Sequence, residues 1–312
     1  MIHNSEDASD YLPNVIIIGT NRGGSTSILE YLNKHPEIEF IKNENSFFEY
    51  PDYHKFYNEN PLYFKSLFNN CSSKIRGIKR PNYILNEESP GLIFKHIPDV
   101  KLILILRDPI KRAISNYYLF MTQGFIPVKD INEGMFDIIN NMYIGRGCQI
   151  IEYGFYNKLI MNYLRFFKSE QLKIIILEEF IMDSNKIYKE LLEYLDVEQT
   201  LIPTNIYDVK NKGVYNFTRI NIIKTGMALI HDYNDDKTRF FAKKITINNI
   251  LSLLIGYSIL AFDGYVLRHI FDNKKQIIST KLMNYLHELY SDDVSKLKKQ
   301  LNKDLCLWSF KD

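Results

Sequence analysis

The regular pattern of the chain begins with an apolar stretch of strand length, Val15 to Ile18, which runs into Gly19. A glycine-bearing turn follows. The next residues place Ile28, Leu29 and Leu32 on one face, which is typical of a helix. The first third of the chain is therefore predicted to start with a strand, a loop and a helix.

Apolar strands alternate with helices along most of the remaining sequence. We predict further strands at 38–41, 75–79, 101–106 and 172–177. Helices are predicted from Pro109 and over 185–195, and the irregular aromatic region that ends at Phe68 favours short helices. Continuous apolar strands of this kind are typical of parallel sheets that are covered on both faces. The pattern indicates an open α/β sheet, with ligands at the carboxyl ends of its strands.

The last third of the chain has a helical pattern instead. We interpret about 221–275 as a helical insertion in a single domain of residues 1–312, and 1–12 as a polar tail. The run 250–262 is nearly all apolar, but it is shorter than the roughly 20 residues of a membrane span and is interrupted by Asp263. A buried or groove-lining helix is the favoured interpretation. The alternative is an interfacial membrane contact over about 237–271, because four cations lie upstream: Lys237, Arg239, Lys243 and Lys244.

Charge and cysteine content narrow the possible functions. The net charge of +2 comes from 39 basic and 37 acidic residues, which argues against a general nucleic-acid binder. Cys71, Cys148 and Cys306 are isolated in the sequence, which favours a reducing compartment, and no H-E-x-x-H pattern suggests a metal centre. The amino end resembles no secretory signal. We expect a cytoplasmic protein, at most peripheral on a membrane.

The loop after the first strand has the chemistry of an anion site. Gly23 and Gly24 allow the backbone to approach a ligand, and amide groups at a helix start favour negative charge. Gly19, Gly24 and Thr26 match the P-loop pattern, but Ser25 replaces its lysine. Arg22 adds a permanent cation. The alternative for Arg22 is a solvated loop residue.

A second candidate anion site follows the strand 101–106. Arg107 ends this strand and Ser115 lies two turns into the next helix, so a guanidinium and a hydroxyl could bind one phosphate. Taken alone, an arginine at a helix start is more often a capping or surface residue. The pair becomes informative only in combination with the first loop.

These two segments together resemble the PAPS-dependent sulfotransferases, nearest to the bacterial and heparan-sulfate-type enzymes. Glu44-Asn-Ser-Phe-Phe and Gly77-Ile-Lys-Arg-Pro-Asn-Tyr are similar to two further motifs of that family, and Leu301-Asn-Lys-Asp-Leu-Cys-Leu-Trp is similar to its carboxyl-terminal motif. The resemblance implies a P-loop-like three-layer sandwich with a central parallel sheet. It also implies PAPS as co-substrate and explains why the Walker lysine is missing, since no γ-phosphate is bound.

The same resemblance implies roles for individual residues. The 5′-phosphosulfate is implied to bind at Arg22, Gly23, Gly24, Ser25, Thr26 and Ser27. The 3′-phosphate is implied to bind at Arg107 and Ser115, and a loop that closes over PAPS is implied at Lys212 and Gly213. Glu44 is implied as the general base, with Arg22 and Lys79 as the catalytic cations. The alternatives are a surface carboxylate for Glu44 and a solvated strand-end lysine for Lys79.

The predicted function is therefore transfer of a sulfonate from PAPS to a hydroxyl, or an amine, of a carbohydrate or lipid-like acceptor by in-line displacement, without a metal. Ile78 and Arg80 depart from the family motif, so part of the acceptor site is expected to be altered. Two alternatives stay open from the sequence. One is a degenerate P-loop kinase, and the other is a nucleotide-binding protein that has lost the chemistry.

Overall fold

The computed structural model describes residues 11–68, 71–140, 142, 145–199 and 213–310. The chain divides into two compact units. Unit 1 comprises Met1–Asp108, Tyr156–Lys210 and Asp293–Asp312, and unit 2 comprises Pro109–Phe155 and Asn211–Asp292. The single domain of residues 1–312 stays a prediction, and most of the predicted tail 1–12 lies outside the described residues.

Unit 1 is built on a five-stranded parallel sheet in the order β2-β3-β1-β4-β5. Its strands are β1 (Val15–Gly19), β2 (Ile38–Phe40), β3 (Ile75–Lys79), β4 (Lys101–Leu106) and β5 (Leu172–Ile176). Each predicted strand is present, within one residue of its expected bounds. This sheet confirms the predicted α/β class.

The helices account for most of the remaining described chain. In chain order they are α1 (Ser25–Leu32), α2 (Asp52–Phe56), α3 (Leu62–Leu67), α4 (Ser89–His96), α5 (Pro109–Thr122), α6 (Ile131–Ile139), α7 (Arg146–Glu152), α8 (Tyr156–Leu164), α9 (Leu177–Met182), α10 (Ser184–Leu195), α11 (Phe217–Ile230), α12 (Ile250–Phe262), α13 (Arg268–Ile270) and α14 (Thr280–Leu301). The aromatic region before Phe68 forms two short helices, α2 and α3, as the sequence indicated.

Both faces of the sheet are covered. Val15 and Ile17 of β1 belong to an apolar cluster that includes residues of α1 and α10. Side chains alternate between the two faces of a strand, so Ile16 and Ile18 lie on the opposite face. These two are also fully buried. The sheet is thus the middle of three layers, as predicted.

The strand order brings the candidate site together at one edge. β1 lies between β3 and β4, with Ile17 paired to Lys79 on one side and Gly19 paired to Leu104 on the other. Because the strands are parallel, the loops that follow them leave the same edge of the sheet. In open α/β folds, ligands bind at such a point, where neighbouring connections diverge.

Unit 2 contains the segment of about 221–275 that was predicted as a helical insertion, and this segment is helical only in part. Between α11 and α12 the chain forms an antiparallel ribbon of β6 (His231–Tyr233) and β7 (Phe240–Ala242). The Asn234 side chain accepts hydrogen bonds from the backbone amides of Thr238 and Arg239, at 2.9 and 2.8 Å. A side chain that caps a turn in this way competes with helix formation.

The apolar run that begins at Ile250 does not end at Asp263. The buried Asp263 carboxylate accepts two hydrogen bonds of 2.8 Å from Arg219 of α11, and the helix continues through a π-helical turn, Asp263–Leu267, into α13. The continuous helix Ile250–Ile270 has 21 residues, and among the described residues it alone is long and apolar enough to cross a membrane. Only Leu253 and Gly256 of α12 are buried, so the interpretation of a buried helix is wrong, whereas a groove-lining helix stays a prediction.

Candidate active site

The loop between β1 and α1 is held against β4 by hydrogen bonds. The Thr20 hydroxyl donates to the Ile105 carbonyl at 2.9 Å, and the Gly23 amide donates to the Thr20 carbonyl at 3.0 Å. A Cβ atom at Gly23 would lie 2.8 Å from that same Ile105 carbonyl oxygen, a distance that side chains do not tolerate. Glycine is therefore required for the loop to close.

The first turn of α1 forms the floor of the candidate donor site. Its N-cap is Gly24 in the left-handed conformation, with φ 94°. Ser25, Thr26 and Ser27 form a neutral first turn, and helix geometry leaves their amides without acceptors inside the helix. Three directed amides and three hydroxyls at the positive end of a helix suit a phosphate or a phosphosulfate.

Arg22 and Arg107 meet in this loop. Arg22 itself adopts a left-handed conformation, with φ 64°. Its carbonyl accepts a hydrogen bond of 3.2 Å from the Arg107 guanidinium, and the Arg107 carbonyl accepts one of 2.7 Å from the Tyr156 hydroxyl. The Arg107 side chain, which the sequence assigned to a second anion site, is thus hydrogen-bonded to the backbone of the first anion loop.

Lys79 links the loop to the candidate general base. Its Nζ atom donates to the Thr26 hydroxyl at 3.0 Å and lies 3.6 Å from the Glu44 carboxylate. Its side chain is only 7% exposed, so the alternative of a solvated strand-end lysine is wrong. The buried cation lies between an anion-binding loop and a carboxylate, which is where a reacting group could be neutralised.

Glu44 is the more accessible partner, with 43% of its side chain exposed. One carboxylate oxygen faces Lys79, and the other lies 3.3 Å from the Arg80 guanidinium. Both oxygens are therefore oriented by cations, and the exposed part of the side chain can meet an acceptor. Two ion pairs hold the carboxylate in position, so Glu44 is not simply a solvated surface acid.

Arg80 is itself anchored by Glu49, which the sequence analysis missed. The guanidinium donates two hydrogen bonds, at 2.8 and 2.7 Å, to the fully buried Glu49 carboxylate. Burial alone would lower the pKa of Arg80, but hydrogen bonds and the negative charge of Glu49, with a smaller contribution from Glu44, raise it. One signal was available, since Glu49 is an acid next to the aromatic pair Phe47 and Phe48.

The other departure from the family motif, Ile78, lies in the core. It pairs with Ile16 across the β3 and β1 strands and is fully buried. Of the two departures, only Arg80 contacts a predicted site residue. Of the two, Arg80 is therefore the residue that adds a charge beside Glu44.

A second set of contacts fixes the chain after β4. The Glu178 carboxylate accepts hydrogen bonds from the Asp108 amide at 3.1 Å and from the Trp308 indole at 3.0 Å. The Asp108 carboxylate accepts from the Ser309 amide at 2.7 Å. The carboxyl-terminal motif thus holds the residue next to Arg107. The sequence analysis matched Trp308 by motif but did not find its partner Glu178.

Three predicted binding residues lie outside the part of unit 1 that the structure describes. Ser115 is a buried residue of α5 in unit 2. Gly213, also in unit 2, accepts a hydrogen bond of 2.8 Å from the Asn273 side chain. Lys212 lies outside the described residues. Their roles toward a nucleotide stay predictions.

Metal ligands were sought across the described ranges. Within them, no three histidine, cysteine, aspartate or glutamate side chains are grouped so that they could hold a metal ion. The cations found at the site are side chains. A reaction that needs no metal stays a prediction.

The family model for the sulfotransferase domain matches residues 12–246, which is more than half of the chain. This chain belongs to the sulfotransferase family. The match contains the anion loop, Glu44, Lys79 and the segment after β4, so it confirms the predicted family. It also favours a sulfotransferase over a P-loop kinase, in agreement with Ser25 at the lysine position of the loop.

Individual relatives agree with this assignment. Human heparan sulfate glucosamine 3-O-sulfotransferase 3A1 is 28% identical over 212 residues, which are 67% of this chain and 50% of that protein. Mouse heparan sulfate glucosamine 3-O-sulfotransferase 5 is 27% identical over 223 residues, 70% of this chain and 62% of that protein. This sulfotransferase thus spans about half the length of the first of these relatives.

The fold has a counterpart among solved structures. A sulfotransferase from Alicyclobacillus acidocaldarius superposes with a TM-score of 0.65, covering 96% of this chain and 99% of that chain at 18% identity. At this identity the likeness concerns the fold. The parallel sheet with helices on both faces is therefore that of a known sulfotransferase.

Proposed function

We propose that this sulfotransferase moves a sulfonate group from PAPS to a hydroxyl of a carbohydrate acceptor, with an amine or a lipid-like hydroxyl as the alternative acceptor. One observation carries the proposal. Lys79 contacts both the anion loop, through Thr26, and the carboxylate of Glu44, at 3.0 and 3.6 Å. A donor bound in the loop and an acceptor bound at Glu44 would meet at this buried cation.

The residues support an in-line displacement at sulfur. The acceptor oxygen forms a bond to sulfur while the bond between sulfur and the bridging phosphate oxygen breaks, and the acceptor proton goes to the Glu44 carboxylate. Negative charge then develops on the leaving phosphate oxygen. We expect Arg22, Lys79 and the amides of the first turn of α1 to stabilise that charge, as fixed donors do in phosphoryl transfer.

The donor and acceptor are assigned on different grounds. The loop amides, Arg22 and Arg107 suit a nucleotide with two phosphate groups, which PAPS carries. A carbohydrate hydroxyl is favoured because the relatives named above act, by their names, on heparan sulfate glucosamine.

The decisive experiment separates binding from chemistry. Calorimetric titration with adenosine 3′,5′-bisphosphate should show binding, and radiolabelled PAPS should label a glycan from a panel of sulfated glycans and glycolipids. Glu44→Gln should bind the bisphosphate within about twofold of the parent and lose transfer by about 100-fold or more. Glu39→Gln, an exposed acid on β2, is the matched control and should retain both.

Each other result has a defined meaning. A protein that does not bind the bisphosphate would refute the proposal. Binding without transfer to any acceptor of the panel would favour the nucleotide-binding protein that has lost the chemistry. A thermal shift with ATP that exceeds the shift with PAPS would favour the kinase. Unchanged turnover of Glu44→Gln would remove Glu44 from the role of base.

Two broader expectations from the sequence stay predictions. They are the cytoplasmic location and the absence of a nucleic-acid partner. The sequence does not indicate an oligomeric state. For the donor site, the assignment of Ser115, Lys212 and Gly213 to the nucleotide also stays a prediction.

A further inference from the structure

The outer face of the helix Ile250–Ile270 is apolar and exposed along its whole length. Leu251 and Leu254 are 66% and 61% exposed, and Tyr265 and Ile270 are 79% and 67% exposed. Further exposed side chains on this helix are Ile250, Ile255, Tyr257, Phe262 and Val266. At 100° per residue these positions cover about half of the circumference of the helix. We call this surface, made of the nine residues just named, the outer face.

The opposite side of the helix is apolar as well and is packed within unit 2. At Gly256 the backbone of α11 comes so close that a Cβ atom would lie 3.0 Å from the Gly226 carbonyl oxygen. Leu253 and Leu267 are buried on the same side. A helix that is apolar all round belongs in an apolar environment on both sides, and only one side has that environment within unit 2.

Both ends of the helix are fixed to unit 2. Before it, the Tyr233 hydroxyl of the ribbon donates to the Gln123 carbonyl. After it, Asn273 exchanges hydrogen bonds with Gly213 and Tyr215, and the Gln276 side chain accepts from the Ile131 amide at 3.0 Å. A membrane-spanning orientation would have to break these contacts, because it would carry the two ends to opposite sides of a bilayer. The helix can instead lie parallel to a surface.

Cations outnumber anions around the outer face. Residues 237–275 contain seven lysines and arginines but only two aspartates. Of these two, Asp263 is buried against Arg219, and the exposed Asp272 pairs with Lys274 at 3.0 Å. Exposed cations lie at both ends of the helix, with Lys244 before it and Arg268, Lys274 and Lys275 after it. An apolar face with cations at its rim is complementary to the surface of a bilayer that contains anionic lipids.

We infer that the outer face is a docking surface for an anionic lipid bilayer, with the helix Ile250–Ile270 lying in the plane of the interface. A second copy of the chain fits this surface less well. A two-fold interface would place the outer face against itself and bring the Lys244 and Arg268 cations of both copies close together, which like charges disfavour. A bilayer covers the same apolar area and supplies negative charge at the rim.

The test is vesicle flotation of the full chain with phosphatidylcholine vesicles, with and without phosphatidylglycerol. We expect binding to the anionic vesicles that weakens as salt is raised. The double variant Leu251→Gln, Leu254→Gln should lose at least about tenfold in affinity. The control is Leu62→Gln, Met182→Gln, which changes two apolar side chains of unit 1 with similar exposures of 68% and 72%.

The remaining outcomes are decided by two further measurements. Lys244→Gln, Lys274→Gln should reduce the gain from phosphatidylglycerol and leave the thermal melting temperature unchanged, since both side chains are exposed. Binding that is equally strong in the Leu251, Leu254 variant, or no binding by the parent chain, would refute the proposal. Sedimentation velocity without lipid that shows a dimer, which dissociates in that variant, would assign the outer face to a second copy.

Discussion

The Nζ atom of Lys79 donates a hydrogen bond of 3.0 Å to the hydroxyl of Thr26, which joins the end of β3 to the first turn of α1. Neighbouring parallel strands make this possible, because β3 pairs directly with β1. The same ammonium group lies 3.6 Å from Glu44. The candidate donor loop and the candidate base are therefore connected through one buried cation.

Removing this cation should impair chemistry more than folding. Lys79→Met should lower the turnover of sulfonate transfer by about 100-fold or more, because a fixed charge next to the leaving group is lost. Methionine retains most of the volume of the buried stem. Steady-state kinetics with saturating PAPS provides the measurement, and Lys42→Met, an exposed lysine on the loop after β2, is the control. Equal losses in both variants would contradict the assigned role.

Removing the Arg107 guanidinium should weaken nucleotide binding. Arg107→Ala should raise the Kd for adenosine 3′,5′-bisphosphate about 10- to 100-fold, which corresponds to the loss of one charge-assisted hydrogen-bonding group. The variant also loses the bond to the Arg22 carbonyl. Calorimetry with Arg165→Ala, an exposed arginine of unit 1, controls for charge. An unchanged Kd in Arg107→Ala would exclude Arg107 from the site.

Breaking the ion pair of Arg80 and Glu49 should destabilise the protein more than removing both of its members. Arg80→Met removes the two hydrogen bonds that Arg80 donates to the fully buried Glu49 carboxylate and should lower the free energy of unfolding by roughly 3–5 kcal/mol. The double variant Arg80→Met, Glu49→Leu should recover most of that loss. Urea unfolding of the two variants tests this. Equal destabilisation of both would show that the buried charge is not the cause.

Acid should destabilise unit 1 through His96. Burial, and to a lesser degree the charge of Lys95, lower the pKa of His96 from its ordinary value of 6.5. At His96 the folded protein therefore binds fewer protons than the unfolded chain. The free energy of unfolding rises with pH up to about the pKa of this histidine in the unfolded chain, and it decreases as the pH falls below that pKa. His96→Gln should flatten this slope, by at most about 1.4 kcal/mol per pH unit.

Urea unfolding between about pH 5 and 8 measures the slope for the parent and the variant. The matched control is His54→Gln, which removes an exposed histidine of α2. If His96→Gln unfolds with the same pH dependence as the parent chain, the shifted histidine does not contribute to acid sensitivity.

The local sequence pattern was sufficient to predict the strands of the sheet in unit 1. The run 102–106 of β4, for example, is apolar without interruption, and a strand of that composition is stable only when both of its faces are covered. The Gly23 and Gly24 loop could be placed for a similar reason, since its conformation depends on residues that lack a Cβ atom. The segment around β6 and β7 was missed because its strands are only three residues long and its turn depends on one asparagine side chain.

Contacts between distant residues could not be derived from pattern. Asp263 looked like the end of an apolar helix, but Arg219, 44 positions earlier, neutralises it and allows the helix to continue. Glu49 was not recognised in the sequence, and it is buried with Arg80 beside it as its partner. In each case the burial of a charged side chain depends on a partner that the local sequence pattern does not specify.

The sequence by itself determined the α/β class, the anion loop and the family, because these depend on short-range periodicity and on motifs with fixed spacing. Only the tertiary structure decided that Lys79 joins Thr26 to Glu44, that Arg80 depends on Glu49, and that the apolar helix after Asn249 is exposed. The physical reason is the same in all three cases. Burial and ion pairing are properties of neighbours in space, which strand order and helix packing select.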